Sequence, residues 1–188
     1  DDGLTINRTI QDDFSVAFWL KAPTLNGQRM LVDGGDFNTT GFHILLNNGG
    51  VLVRTPGTGF QTTRIDDDQW HFVAVSRNKA TGRVDIYVDG NAIVGLNGSP
   101  DVTLNNVADL RIGKRRNNTQ PLLATLDQFQ IFPAPLAQDT VLAMYNRTLQ
   151  SYCVAAGPRD SNVYWAKVQA SQPDVRGGRL SASNGLTL

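Results

Sequence analysis

The segment from Asp33 to Asn38 carries the residue types best suited to chemistry in this chain. It contains two aspartates, an asparagine and two adjacent glycines. Calcium prefers six to eight oxygen ligands from carboxylates, amides and backbone carbonyls, and a glycine-rich loop can wrap such oxygens around one ion. The sequence therefore makes this loop a candidate calcium site. The alternative is a solvated turn in which the same side chains cap backbone groups.

A second candidate is the basic segment that begins at Lys114. Arg115 and Arg116 follow it directly, and Asn117 comes next in the same loop. Guanidinium groups pair bidentately with sulfate and carboxylate groups, so we predict that Arg115, Arg116 and Asn117 contact a sulfated or uronic-acid polysaccharide. The simpler interpretation is a solvated hairpin tip, because only three cations cluster there.

Rings outside the predicted core are candidates for stacking on sugars. Phe37 and Phe60 lie in or near polar loops, and we predict that both contact a ligand. We also predict that His43 contacts the ligand. For His43 and His71 alike a structural role is the simpler interpretation, because neither has a metal-ligating neighbour in the sequence.

Composition excludes several classes of function. The chain has 188 residues, with 17 basic and 17 acidic residues, and every acidic residue is an aspartate. Zero net charge removes the broad electrostatic attraction expected of a protein that binds nucleic acid or an anionic membrane. No run of apolar residues is long enough to insert into a membrane. The absence of glutamate excludes every mechanism that requires one, and no phosphate-binding or nucleophile-elbow motif is present. We predict that the protein is not an enzyme.

Apolar and polar residues alternate with a period of two along most of the chain, which predicts many short strands. One short helix is predicted near residues 136–146, after a pair of prolines. The predicted strands cover residues 14–21, 29–32, 42–46, 51–54, 61–65, 70–77, 83–88, 92–94, 110–113 and 124–132. This pattern favours an all-β sandwich or barrel.

Five segments resemble, in order and spacing, the strands of concanavalin A-like jelly rolls of the laminin-G and pentraxin type. Together they lie within a region of about residues 4–147. They are FSVAFWLK at 14–21, WHFVAV at 70–75, GRVDIYVDG at 82–90, LRIG at 110–113 and LDQFQIFPAPL at 126–136.

The resemblance implies a two-sheet antiparallel β-sandwich over residues 1–150. Residues 151–188 are then a C-terminal extension that packs onto the sandwich or begins a further module. It also implies a non-catalytic, extracellular carbohydrate-binding module of a larger secreted or cell-surface protein. The alternative is a protein-adhesion or spacer module with a cell-surface protein as its partner. Fold alone does not choose between them.

The resemblance further identifies the calcium ligands as Asp33, Asp36 and Asn38, with Asp127 as an additional candidate. Pentraxins carry an acidic loop ahead of the strand that contains Asp127, whereas this chain has the basic segment that begins at Lys114. We therefore expect a single calcium ion of the laminin-G kind and not the double site of pentraxins.

Overall fold

Eleven β-strands and one α-helix make up the part of the chain that the computed structural model describes, which is residues 3–7, 12–104 and 109–151. The strands are β1 (Leu4–Ile6), β2 (Phe14–Lys21), β3 (Gln28–Asp33), β4 (His43–Asn47), β5 (Gly50–Thr55), β6 (Thr58–Arg64), β7 (Trp70–Arg77), β8 (Arg83–Val88), β9 (Asn91–Asn97), β10 (Leu110–Ile112) and β11 (Thr125–Phe132), and the helix is α1 (Gln138–Ser151).

The strands form two antiparallel sheets that pack face to face. The six-stranded sheet has the order β1-β10-β3-β4-β5-β6, and the five-stranded sheet has the order β11-β2-β7-β8-β9. This arrangement confirms the predicted all-β sandwich with one short helix. The helix begins two residues later and ends five residues later than predicted, and β1 is a strand that the sequence pattern did not identify.

The core between the sheets follows from alternation along each strand, because successive side chains point to opposite faces. Two pairs of stacked aromatic rings lie in this core. The rings of Phe14 and Phe42 stack with centroids 4.5 Å apart, and those of Phe18 and Phe129 stack at 5.6 Å. Phe14 on β2 and Phe42, directly before β4, belong to different sheets, so their contact joins the two layers. Phe18 on β2 and Phe129 on β11 stack between neighbouring strands of one sheet.

Helix α1 covers the outer face of the five-stranded sheet. Trp19 on β2 and Phe72 on β7 point away from the inter-sheet core, and both rings pack against Tyr145 of the helix at 5.8 and 6.3 Å. Val141 lies in the same cluster and is fully buried. Strand β2 is therefore covered on both faces, which explains its nearly continuous run of apolar residues.

Two tight hairpin turns use the backbone conformations that their residues favour. The turn between β8 and β9 places Asp89 at φ 52° and Gly90 at φ 78°, and the turn between β4 and β5 places Asn48 at φ 47° and Gly49 at φ 84°. Positive φ at both central positions matches the right-handed twist of the flanking strands. The sequence predicted both turns from their Asp-Gly and Asn-Gly pairs.

A β-bulge in β3 decides which side chains reach the outer face of the six-stranded sheet. Its register against β4 shifts between Met30 and Val32, so that Leu31 is the additional residue. Leu31 and Val32 both enter the inter-sheet core. Met30 and Asp33 consequently share the outer face, whereas strict alternation would place them on opposite faces.

The domain boundary predicted at residue 150 falls inside α1. Beyond Ser151, the predicted C-terminal extension lies outside the described residues.

Replacing Val141 by Ala tests the contribution of α1. We expect the free energy of unfolding to fall by about 1 to 3 kcal/mol, because the change leaves a cavity under the helix. Leu142→Ala is the matched control, since Leu142 is 39% exposed and its truncation costs less. Urea denaturation of both variants measures the difference. Equal losses would contradict the packing described for this helix.

Candidate functional site

A row of polar residues crosses the outer face of the six-stranded sheet. Arg111 on β10 lies opposite Asp33 on β3, Asp33 opposite His43 on β4, and His43 opposite Arg54 on β5. Directly opposed residues on neighbouring strands have side chains on the same face and within reach of one another. We call these four residues the outer polar row.

The outer polar row borders an apolar floor. Met30, Leu45 and Leu52 occupy three adjacent strands and form a buried cluster separate from the inter-sheet core. Their relative exposures are 0%, 1% and 8%, so this part of the outer face is covered. Because these side chains are already covered, the cluster supports the neighbouring polar row and is not itself open to a ligand.

The loop between β3 and β4 places Phe37 above the outer polar row. The ring of Phe37 lies 4.9 Å from the ring of His43, and the guanidinium carbon of Arg54 lies 5.1 Å from the Phe37 centroid. The base of the loop is closed by hydrogen bonds in both directions between Gly34 and Phe42. A Cβ at Gly34 would come within 2.4 Å of the Phe42 ring, so glycine is required there.

The basic segment forms a tight hairpin that folds back onto the same face. The amide of Asn118 donates to the Arg115 carbonyl at 2.9 Å, and the amide of Arg115 donates to the Thr119 carbonyl at 3.1 Å. The Arg116 amide then donates to Oδ2 of Asp33 at 2.7 Å. We call residues 114–120 the basic hairpin.

Asp33 joins the hairpin, the loop and the sheet. Its carboxylate is 1% exposed, and besides the Arg116 amide it accepts a hydrogen bond from the Gly35 amide at 2.8 Å. Nε of Arg116 lies 3.3 Å from Oδ1, and Nε2 of His43 lies 3.6 Å from the same oxygen. Both carboxylate oxygens of this buried side chain are occupied by N–H groups of the protein, which favours a structural role for Asp33.

The surroundings of His43 favour its neutral form. Burial lowers the pKa of its imidazole, and the positive charges of Arg115 and Arg54 lower it further, whereas Asp33 acts in the opposite direction. A neutral imidazole has one donor and one acceptor nitrogen, so it can bond to hydroxyl groups in either direction. Its ring is only 3% exposed, so His43 supports the surface more than it covers it.

The remaining predicted site residues lie in different places. Asn117 is exposed at the tip of the basic hairpin, where its Oδ1 accepts hydrogen bonds from Thr119. Phe60 points into the inter-sheet core and is 8% exposed, so its ring has little surface for a sugar. Asp127 lies opposite Trp19, on the outer face of the other sheet. The structure thus brings together the loop residues and the arginines, and separates Phe60 and Asp127 from them.

The four predicted calcium ligands do not fit one ion. Asp127 is on the far side of the sandwich from the loop, and both oxygens of Asp33 already accept backbone amides. Oδ1 of Asp36 accepts hydrogen bonds from the amide and the side chain of Asn38. Among the described residues, no group of three or more His, Cys, Asp or Glu side chains could hold a metal. Calcium binding by Asp36 and Asn38 with backbone oxygens stays a prediction.

Sequence reasoning missed Arg54 and Arg111. Alternation along β5 places Arg54 on the face opposite to Val53, which is a usable signal. Nothing in the local sequence of either arginine indicates that it lies beside His43 or Asp33, because that proximity depends on the register between strands.

The second histidine, His71, binds two carboxylates. Its Nδ1 lies 2.8 Å from Asp89 and its Nε2 lies 3.1 Å from Asp67. Burial lowers the pKa of His71, but the hydrogen bonds to Asp89 and Asp67 and their charges outweigh burial, so the pKa is raised overall. This confirms that His71 has structural partners on both sides of its ring.

Known proteins with similar sequences provide an independent comparison. A family model described as the concanavalin A-like lectin/glucanases superfamily matches residues 1–142. Botulinum neurotoxin type X of Clostridium botulinum is 28% identical over 147 residues; the match covers 72% of this chain and 11% of the toxin, so the chain spans about a tenth of that relative.

Two solved structures show the same fold at low sequence identity. The heptameric SAP-like pentraxin from Limulus polyphemus has a TM-score of 0.64 and 14% identity, and the match covers 76% of this chain and 75% of the pentraxin. A structure of botulinum neurotoxin type C has a TM-score of 0.58 and 16% identity, covering 72% of this chain and 36% of that one. Its description states that cell entry depends on interaction with two ganglioside molecules.

No helix in the described part of the chain is both long and apolar enough to cross a membrane.

Replacing Asp33 by Ala tests its structural role. We expect the free energy of unfolding to fall by about 2 to 4 kcal/mol, because two amides and the Arg116 guanidinium lose a buried charged acceptor. The loss is expected to be the same in calcium and in chelator. Asp36→Ala in the same loop is the control, since Asp36 is exposed and its removal costs little in chelator. A loss for Asp33→Ala that appears only in calcium would contradict the structural assignment.

The pH dependence of stability tests the contacts of His71. A histidine with a raised pKa stabilises the fold fully below its unfolded pKa, about 6.5, and this stabilisation disappears as pH rises through the folded pKa. We therefore expect His71→Gln to reduce the free energy of unfolding more at pH 6 than at pH 9. Urea denaturation of both proteins at the two pH values measures this. An equal reduction at both would show that the ring binds its carboxylates in the neutral form.

Proposed function

The chain belongs to the concanavalin A-like lectin/glucanases superfamily, and on that premise we propose that it is a non-catalytic module that binds a glycan on the outer face of its six-stranded sheet. One observation carries the proposal. The Phe37 loop and the basic hairpin, which are distant in sequence, both fold onto the outer polar row and surround His43.

The chemistry of this surface suits a sugar. Pyranose rings present apolar C–H faces to aromatic side chains and a border of hydroxyl groups to polar ones. Phe37 is half-buried, and Arg54 supplies a planar array of N–H donors beside its ring. Arg115, in the basic hairpin, supplies a second such array to the region of His43. The apolar cluster beside the polar row helps to hold these groups on a rigid sheet, which limits the entropy lost on binding.

The comparisons support the class of function and not its details. Similar proteins include a pentraxin and botulinum neurotoxins, for one of which the description names gangliosides as the molecules it interacts with. An extracellular location and membership of a larger protein are part of the proposal. A calcium ion bound by Asp36 and Asn38 is a further part that stands apart from the glycan surface.

The alternative function is that of a protein-adhesion or spacer module. The fold hosts both kinds of module, so the fold alone does not separate them. A protein partner whose affinity is unchanged by competing sugars would favour this alternative.

A glycan and polysaccharide array, run once in millimolar calcium and once in chelator, tests the proposal. We expect glycan binding in both conditions, because the proposed surface needs no metal. Phe37→Ala is expected to weaken binding about tenfold, since stacking and ring burial together contribute about 1 to 2 kcal/mol. Trp70→Ala is the matched control, because Trp70 is 44% exposed and lies on the other sheet.

Each outcome of the array has a distinct meaning. Binding that disappears in chelator would move the site to the calcium loop around Asp36. Binding that survives Phe37→Ala but is lost in Trp70→Ala would move it to the five-stranded sheet. No binding to any glycan in either condition would overturn the proposal and favour adhesion or spacing.

A further inference from the structure

The arginines on the outer face of the six-stranded sheet differ in their partners. Arg116 forms ion pairs with Asp109 and with Asp33, and it also donates to the Asp109 carbonyl. Arg111 donates to the Arg116 carbonyl at 3.0 Å, and its Nε lies 3.9 Å from Asp109. These two guanidinium groups are occupied by the protein itself and hold the basic hairpin on the sheet.

Arg54 and Arg115 are not occupied in this way. Neither guanidinium forms an ion pair with any aspartate among the described residues, although both are half-buried. The contact of Arg54 is with the ring of Phe37 at 5.1 Å. Arg115 contributes its main chain to the hairpin, through the bonds to Thr119 and Asn118, and its guanidinium is left for other contacts.

Arg54 and Arg115 both affect the surroundings of His43. His43 lies opposite Arg54 on the neighbouring strand and beside Asp33, to which the hairpin that carries Arg115 is bonded. The charges of both arginines lower the pKa of His43. Asp33 is buried and accepts N–H groups from Gly35 and Arg116, and Asp109 is paired with Arg111 and Arg116. These carboxylates are therefore occupied by other donors and are not paired with Arg54 or Arg115. The surface above His43 consequently has an excess of positive charge.

Such a pair has a definite chemical preference. A guanidinium is weakly hydrated and presents parallel N–H groups that match the two oxygens of a carboxylate or sulfate. Two of them in the region of His43, neither ion-paired to an aspartate of the described residues, favour an anionic ligand over a neutral one. The hydroxyl groups of a neutral sugar would bring no opposite charge to either guanidinium group.

We propose that Arg54 and Arg115 form an anion subsite above His43, and that the glycan bound by this module carries a carboxylate or sulfate group. The inference rests on the proposed function and narrows its ligand to acidic sugars. It also divides the pair of hairpin arginines that the sequence treated alike, because Arg115 binds the ligand and Arg116 holds the hairpin.

The test compares probes that differ in charge and keep the same sugar. Oligogalacturonate is compared with its methyl ester to test a carboxylate, and chondroitin 4-sulfate with unsulfated chondroitin to test a sulfate. Calorimetric titration at low salt is expected to give at least tenfold tighter binding for the more highly charged member of one pair. The preference is expected to weaken as salt rises, because the contacts are electrostatic.

Three Arg→Gln variants, one of them a control, test which guanidinium groups contact the ligand. Arg54→Gln and Arg115→Gln are each expected to weaken binding of the preferred acidic probe about tenfold, as expected for a charge-assisted hydrogen bond. Arg147→Gln is the control, since it removes the same charge from an exposed position on α1, across the sandwich from the proposed subsite. Thermal melting of each variant verifies that it is folded.

The outcomes separate the two proposals. If both members of each pair bind equally well, the glycan site stands and the anion subsite is wrong. If the acidic probe binds better but Arg147→Gln weakens it as much as Arg54→Gln and Arg115→Gln do, the preference reflects net charge, and the subsite is again wrong. If no probe binds and the array is also empty, the proposed function fails and the inference fails with it.

Discussion

Burial of β2 on both of its faces is the constraint on which the rest of the structure depends. Its even-numbered side chains fill the space between the sheets, and Trp19 on its other face packs under α1. Because β2 also pairs with β7 and β11, it fixes the register of the five-stranded sheet and the place of the helix at once. The stacked rings of Phe14 and Phe42 extend this constraint to the opposite sheet, immediately after the loop that carries Phe37.

The candidate site is a consequence of that rigid frame and of one irregularity in it. The β-bulge at Leu31 turns Asp33 to the outer face, where its buried carboxylate binds the amides of Gly35 and Arg116. One side chain thereby ties together a strand, the loop that follows it and a hairpin about 80 residues further along the chain. The charge on Asp33 is used by the fold, and this leaves the arginines around His43 with different roles.

Function in this superfamily is not decided by the sandwich, because the same fold hosts lectins, adhesion modules and enzymes. What distinguishes this chain is the chemistry added to its outer face. The loop after β3 supplies an aromatic ring, and β5 and the basic hairpin supply guanidinium groups. On the proposed function, this surface holds a glycan.

The sequence by itself determined the fold and most of its strands, because alternation with a period of two and Asp-Gly or Asn-Gly turns are local signals that need no knowledge of distant residues. It also identified the loop around Asp36 and the basic hairpin as polar features that the core does not use. Tertiary structure alone decided how these features combine. Register between strands placed Arg54 beside His43, the bulge turned Asp33 outward, and inward alternation of β6 took Phe60 into the core. Each of these outcomes depends on pairing between segments that are separated in the chain, and the pattern within one segment carries no information about its partner.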